Sequence, residues 1–304
     1  MKFLIRIVVV ILAATLQSPA QSLRVVTTQP DLASFVRLIG GDDVQVSSLT
    51  VGSEDMHLLR PRPSMLARLS RADLLIEMGL SLEHAWLPAI VRAVRNRKIR
   101  PGTLGLLNCS VLVHVLRKPK TKTRAEGPDL HPMGNPHYNL DPENMRVVAG
   151  LIRDRLSKLN PDGAERYKSA CAKLQQDIDA HMKTWKAKLA PFRGAAFIEY
   201  HDSWIYFAKR FGLRIVERLE PAPGLAPTPS HLGHVISVGK SEHVKLIVSR
   251  PATADVAEKV ARAIGGQAVT LPLSSTRKGR YKGYFHFMDQ VVDAFAAGLN
   301  RPAK

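Results

Sequence analysis

The sequence predicts an α/β protein of two lobes, each with a parallel-rich sheet flanked by helices, joined by one long linking helix. Short β-rich apolar segments alternate with helical segments along both halves of the 304-residue chain. Such alternation is typical of parallel sheets covered by helices. Residues 161–190 form one helical stretch that is long enough to join two lobes. The chain length agrees, since single cores rarely grow beyond about 250–300 residues.

Residues 1–20 are expected to be a signal peptide that is removed from the mature protein. Lys2 and Arg6 give a positive start, an apolar run follows, and small residues lead up to Ala20. The apolar run is too short to span a bilayer. We therefore expect a periplasmic protein, with cleavage near Ala20.

The first lobe is expected over residues 21–160. Apolar runs rich in β-branched residues predict its strands, and apolar residues at steps of three or four predict its helices. The expected strands are 23–28, 44–50, 73–79 and 102–110, and the expected helices are 31–41, 64–69, 82–96 and 142–159.

The second lobe is expected over residues 191–304, after the linking helix 161–190. It repeats the alternation of the first lobe and so predicts a second copy of the same architecture. The expected strands are 195–200, 214–220, 244–250 and 267–273, and the expected helices are 203–212, one from Ser230, 253–266 and 284–299.

The chain is strongly basic, with 44 Lys and Arg against 26 Asp and Glu and a formal charge of +18. These cations are spread along the whole sequence, and no nucleic-acid-binding motif accompanies them, so we predict a solvated basic surface and no nucleic-acid partner. Residues 117–136 are basic, rich in Pro and Gly and aperiodic, which predicts a long surface loop. Whether Cys109 and Cys171 form a disulfide is left open, since it depends on geometry.

Three histidines lie in short phrases next to predicted strand ends or helix starts: His57 in EDMHLLRPRPS, His137 in GNPHYNLDP and His201 in EYHDSWIYF. A loop histidine can also simply bond a backbone group or occupy a turn. In α/β sheets, however, ligands bind beyond the carboxyl ends of the strands, and neutral imidazole is a common zinc ligand. The three residues therefore predict one metal site.

These phrases resemble those of the solute-binding proteins of zinc and manganese ABC importers, through essentially the whole mature sequence. HLLRPRPS is similar to the family's H-x-Y-x-P-x-P-S, with Leu59 at the aromatic position, and NPHYNLDP is similar to D-P-H-x-W-x-D-P. IEYHDSWIYFAKRFGL resembles the segment with the third ligand. The resemblance implies that His57, His137 and His201 bind a metal between the lobes, for delivery to a membrane permease.

The fourth ligand is not evident in the sequence. Many relatives supply an Asp after the last strand, where this chain has Ser274 and Ser275 in LPLSSTRKG. We expect three histidines completed by a water or a weakly held carboxylate, and three nitrogen ligands favour zinc over manganese. The other candidate donors are Glu54, Asp55, His286 and Asp289.

Zinc-specific relatives often carry a His- and Asp-rich loop between the first two ligands. The matching segment here, 114–136, holds only His114 and His131 and is otherwise basic. We therefore expect a solvated insertion without a metal-capturing role.

Two other functional classes fit parts of the sequence. A zinc-dependent hydrolase also uses three histidines and a water, with Glu54 or Asp55 as the base. A basic adhesin that binds polyanions would use the charge of the chain. No P-loop, nucleophile elbow or H-E-x-x-H motif is present, so a monomeric binding protein without enzymatic activity is the main prediction.

Overall fold

The computed structural model describes residues 22–57, 59–118, 129–277, 279 and 282–300. The segment expected to be the signal peptide lies outside these residues, as do positions 119–128 of the basic loop. Two parallel four-stranded sheets form the centre of the two lobes, with the strand orders β2-β1-β3-β4 and β6-β5-β7-β8. The strands are β1 (Leu23–Thr27), β2 (Val44–Ser48), β3 (Leu74–Glu77), β4 (Leu106–Asn108), β5 (Ala196–Glu199), β6 (Arg214–Arg218), β7 (Leu246–Ser249) and β8 (Gln267–Thr270).

Helices cover the sheets and connect the strands. The two sheets have the same relative strand order, so the predicted repeat of one architecture is confirmed. Among the described residues, no helix is both long enough and apolar enough to cross a bilayer. The helices are α1 (Pro30–Gly40), α2 (Pro63–Leu69), α3 (Leu87–Ala93), α4 (Pro142–Leu159), α5 (Ala164–Leu189), α6 (Ile205–Phe211), α7 (Pro229–Ser241), α8 (Ala254–Ile264) and α9 (Tyr284–Leu299).

The predicted linking helix is confirmed as α5, with short 3₁₀ turns at both ends over Pro161–Gly163 and Ala190–Phe192. Its buried residues recur at steps of three or four, as an amphipathic helix requires. The apolar periodicity of the sequence also includes Ala170 and His181, but both are only partly buried, and the next residue along the chain is buried instead in each case. The buried residues of α5 are Tyr167, Cys171, Leu174, Ile178, Met182, Trp185 and Leu189.

The last helix, α9, joins the cores of the two lobes. Tyr284 at its start meets Phe35 of α1 edge to face, with ring centroids 5.1 Å apart. Phe295, near its end, meets Phe197 of β5 at 5.2 Å. Trp185 of α5 donates a hydrogen bond to Asp289 at 2.8 Å. One contiguous apolar cluster therefore includes residues of both sheets, α5 and α9.

The structure corrects two element boundaries. The helix expected over 82–96 is only α3, because Leu80 and Ser81 adopt positive φ angles of 51° and 67° in a preceding turn. Pro88 then fits the first turn of a helix but not its interior. The strand expected over 102–110 is reduced to β4. Cys109 and Cys171 are both buried and free.

Candidate metal centre

His57 lies in the loop that follows β2, at the carboxyl end of the first sheet. The Asp55 side chain accepts a hydrogen bond from the His57 backbone N–H at 3.0 Å, which forms a local turn. The Trp86 indole N–H donates to the Met56 carbonyl at 3.0 Å. The loop is thus fixed by its own Asp55 turn and by the contact with buried Trp86, so the His57 ring has a defined position.

His137 is positioned by the same kind of turn. The Asn135 side chain accepts a hydrogen bond from the His137 backbone N–H at 3.0 Å. The next residue, Tyr138, is fully buried and donates its hydroxyl to the Met78 carbonyl at 2.7 Å. Asp141 then caps α4 by accepting from the Glu143 N–H at 3.0 Å. His137 is therefore fixed between an anchored tyrosine and a side-chain turn.

His201 follows the end of β5 by two residues. Its Nδ1 lies 2.6 Å from a carboxylate oxygen of Glu220, which is itself buried. A carboxylate on one ring nitrogen fixes the orientation of the ring and leaves Nε2 for a metal. Glu220 lies in the Pro-rich LEPAPGL segment that follows β6. Its role here is to orient the His201 ring, which the sequence did not reveal.

The three histidines singled out by the sequence meet in one place. One ring nitrogen from each lies within 4.8 Å of the others. The ring centroids of His57 lie 6.4 Å from His137 and 5.7 Å from His201, and those of His137 and His201 are 5.8 Å apart. His137 and His201 are each only 5% exposed. This spacing suits three nitrogens around one metal ion.

Two ring nitrogens of the three histidines lack hydrogen-bond partners. His57 Nδ1 and His137 Nε2 are both buried without one, and an unmet buried polar group costs about 1–3 kcal/mol. Burial, with the nearby His201 as the next cause, lowers the pKa of His57 and lowers that of His137 well below its ordinary value. Both rings are therefore neutral at pH 7, the form that binds metal.

A fourth histidine adjoins the cluster and was not predicted to take part. The His131 ring centroid lies 4.9 Å from that of His57 and 6.4 Å from that of His137. Both of its ring nitrogens are buried without a partner. Burial lowers the pKa of His131 to about 3. The only sequence signal was its place six residues before His137, on the far side of a Pro-Met-Gly turn.

The carboxylates considered as the fourth ligand are engaged elsewhere. Glu54 accepts hydrogen bonds from the backbone N–H groups of Val51 at 2.7 Å and Gly52 at 3.0 Å. Asp55 lies 2.7 Å from Arg250. Among the described residues, neither joins the three histidines within 4.8 Å.

The remaining candidate donors also lie outside that group of three. Asp289 accepts from Trp185 on α5, and His286 is exposed. Ser274 and Ser275 are buried, and the Ser275 backbone N–H donates to Asp31 at 2.8 Å.

The chain is similar in sequence to several metal-binding proteins. Zinc-binding protein AdcA of Streptococcus pyogenes serotype M18 is 24% identical to this chain over 89% of its length. The matched region covers only 55% of AdcA. The zinc uptake protein ZnuA of Bacillus subtilis is 28% identical, covering 93% of this chain and 89% of the relative. Iron-binding protein YfeA of Yersinia pestis is 23% identical, covering 93% and 88%.

Solved structures show the same fold. A crystal structure of ZnuA superimposes with a TM-score of 0.77 at 24% identity, covering 92% of this chain and 100% of that one. The family model described as ZnuA, zinc-uptake complex component A, periplasmic, matches residues 25–298. The chain therefore belongs to the family of periplasmic zinc-uptake component A proteins.

Proposed function

We propose that this chain is an extracytoplasmic zinc-binding protein that delivers its ion to the membrane permease of an ABC importer. In this proposal His57, His137 and His201 are the metal ligands. The observation that carries it is the approach of three ring nitrogens to within 4.8 Å in a largely buried site. Two of these rings have a buried nitrogen without a hydrogen-bond partner, and a bound cation would provide the missing partner.

Zinc is proposed over manganese because of the donor set. Imidazole nitrogens suit zinc, whereas manganese sites are richer in carboxylates and water. Asp55, Glu54 and Glu220 are engaged with Arg250, with backbone N–H groups and with the His201 ring, respectively. A related protein is named iron-binding, so the preference for zinc rests on the donor set of this chain.

The place and partner follow from the family. Its description as a periplasmic uptake component supports an extracytoplasmic location and an importer as the recipient. Removal of residues 1–20 near Ala20 stays a prediction, as do a monomeric state and the lack of a nucleic-acid partner. We propose that residues 21–160 form the first lobe, residues 191–304 the second, and residues 161–190 the linking helix.

A hydrolase is disfavoured by the surroundings of the cluster. A zinc-bound water needs a general base within hydrogen-bonding reach. Asp55 lies against Arg250, Glu54 accepts two backbone N–H groups, and Glu220 lies against His201. Each of these three carboxylates thus has a structural role, and we propose a binding protein without catalytic activity.

Calorimetric titration of the metal-free protein with zinc tests the proposal. His57→Ala, His137→Ala and His201→Ala should each weaken zinc binding more than tenfold, because water replaces a strong nitrogen donor poorly. His286→Ala removes an exposed histidine of α9 and serves as the control. Unchanged affinity in all three ligand variants would contradict the site. Zinc-dependent hydrolysis, or retention on heparin that chelator does not affect, would favour the other classes.

A further inference from the structure

We infer that His131 is a fourth protein ligand, so that the ion is held by four imidazoles and no carboxylate. This inference rests on the proposed zinc-binding function. His131 would occupy the coordination position for which relatives commonly supply an Asp and for which this sequence has Ser274 and Ser275.

The first argument is the hydrogen-bonding state of the His131 ring. The residue is 9% exposed. The Leu80 backbone lies close enough to the ring to act on its pKa, but neither ring nitrogen makes a hydrogen bond of normal geometry. A neutral imidazole has one N–H donor and one acceptor, and burying both without partners is costly. Core histidines normally bond a backbone carbonyl or a side chain. The Leu80 backbone can serve one ring nitrogen at most, and the other, beside three imidazoles, is free to bind a cation.

The second argument is proximity. The His131 ring is 4.9 Å from the His57 ring and 6.4 Å from the His137 ring, distances comparable to those within the group of three. His131 is not one of the three residues whose nitrogens lie within 4.8 Å of one another, so coordination would need a rotation of its side chain. A cavity of about 40 Å³ lined by His131, His201 and Asp202, among others, gives that ring room.

The third argument is the anchoring of the segment that carries the ring. The Asp129 backbone N–H donates to the Pro223 carbonyl at 3.3 Å, and the Asn135 side chain donates to the Asp202 carbonyl at 2.7 Å. His131 lies between these two contacts with the second lobe. The backbone is thus held beside the cluster on both sides of His131. Little backbone freedom would therefore be lost when the side chain binds the ion.

Four neutral nitrogens would give the site a strong preference for zinc. Tetrahedral zinc takes four donors, and a full set of imidazoles supplies them without a water. Manganese prefers six oxygen-rich ligands and gains little from a fourth imidazole. His131 would therefore raise the affinity for zinc much more than that for manganese.

The test compares His131→Ala and His131→Phe with the wild type, using zinc and manganese as separate probes. We expect zinc affinity, measured by competition with a chelator, to fall more than tenfold in both variants, and manganese affinity to change less than threefold. His114→Ala removes the exposed histidine of the same segment and should bind both metals like the wild type.

A crystal of the zinc-loaded wild type adds a readout that needs no substitution. An anomalous map at the zinc edge should show a His131 ring nitrogen at about 2.0–2.1 Å from the ion. A zinc ion bound by His57, His137 and His201 with His131 turned away would overturn this inference alone. Zinc binding that survives His201→Ala unchanged would instead overturn the proposed function.

Discussion

Asp55 Oδ2 and Arg250 Nη1 lie 2.7 Å apart, although 195 residues separate them in the sequence. The pair connects the loop of His57 in the first lobe to the carboxyl end of β7 in the second. Burial raises the pKa of Asp55, but the charge and hydrogen bond of Arg250, together with the His57 backbone N–H, outweigh it and the pKa is lowered. Both side chains are about three-quarters buried, at 22% and 25% exposure. The ion pair thus closes the site and neutralises a cation next to the histidines.

Asp55→Asn should weaken zinc binding about tenfold, because it leaves the positive charge of Arg250 unpaired beside the incoming ion. The Asn oxygen can still accept from the His57 N–H, so the local turn is retained. Adding Arg250→Gln should recover part of the loss. A double-mutant cycle from calorimetric titrations measures this coupling. Additive losses in the double variant would contradict the ion-pair explanation.

Glu220→Gln should weaken zinc binding roughly tenfold or more, since carboxylates that orient a ligating histidine typically contribute 10–100-fold to affinity. The amide keeps the size of the side chain but removes its negative charge. Glu217→Gln is the matched control, because Glu217 pairs with His234 at the surface of the same lobe. Equal zinc affinities in the two variants would show that Glu220 does not act through His201.

The metal-free protein should lose stability as the pH falls from 6.5 towards 3. The pKa of His131 is about 3 in the folded chain and near 6.5 when unfolded. Between these values the unfolded state binds more protons, so the free energy of unfolding decreases as the pH is lowered. His131→Ala removes this contribution, which amounts to roughly 3 kcal/mol at pH 4.5.

Denaturant unfolding in the presence of a chelator, at pH 7.5 and pH 4.5, measures that difference. The stability of His131→Ala should fall less between the two pH values than that of the wild type. His114→Ala, whose ring is exposed, should fall as much as the wild type does. If the His131 variant parallels the wild type, then the folded protein accepts a proton on this ring as readily as the unfolded chain.

Zinc affinity should depend less on pH than free histidine would suggest. Four imidazoles with a pKa near 6.5 would release protons on binding at pH 6. Burial instead lowers the pKa of His57, His131 and His137, so these rings are already neutral. We expect zinc affinity to change less than tenfold between pH 7 and pH 6. Calorimetry in buffers of different ionisation enthalpy counts the released protons, and a release of three would contradict this expectation.

Ser274→Ala and Ser275→Ala should leave zinc affinity within about threefold, a change below ~0.7 kcal/mol. A hydroxyl is a poor zinc donor beside imidazole. The Ser275 contact with Asp31 is made by its backbone N–H, which alanine retains. The same titration checks both variants. A loss above tenfold in either one would make this loop a ligand segment and would displace His131 from the fourth position.

The alternating pattern predicted the fold because each strand and helix has its own apolar signature. The linking helix α5 and the helix α4 match their predicted ranges within a few residues. The helix expected over 82–96 was too long because residues 82–86 continue a turn that begins at Leu80 and Ser81, two non-glycine residues with positive φ angles. Tertiary packing allows that conformation, and residue periodicity does not record it.

The site was predictable only where a local phrase marked it. His57, His137 and His201 each adjoin a predicted strand or helix, and the topology then brings them together. The role of His131 depends on a loop that crosses to the second lobe through Asn135 and Asp202. Sequence patterns also do not predict the pairing of Asp55 with Arg250, which is 195 positions away. Such long-range polar contacts require three-dimensional structure.

Opening and closing of two lobes requires a narrow hinge between them, whereas the lobes of this protein are joined by packed helices. The 26-residue α5 runs beside α9, and the rings of Phe35 and Tyr284 interlock the halves further. Spreading the lobes would expose that apolar seam to water, at a cost of about 25 cal/mol for each Å². We therefore expect the ion to leave when the short segments around the histidines shift. The importer would then release the ion by displacing these short segments, while the two lobes keep their relative positions.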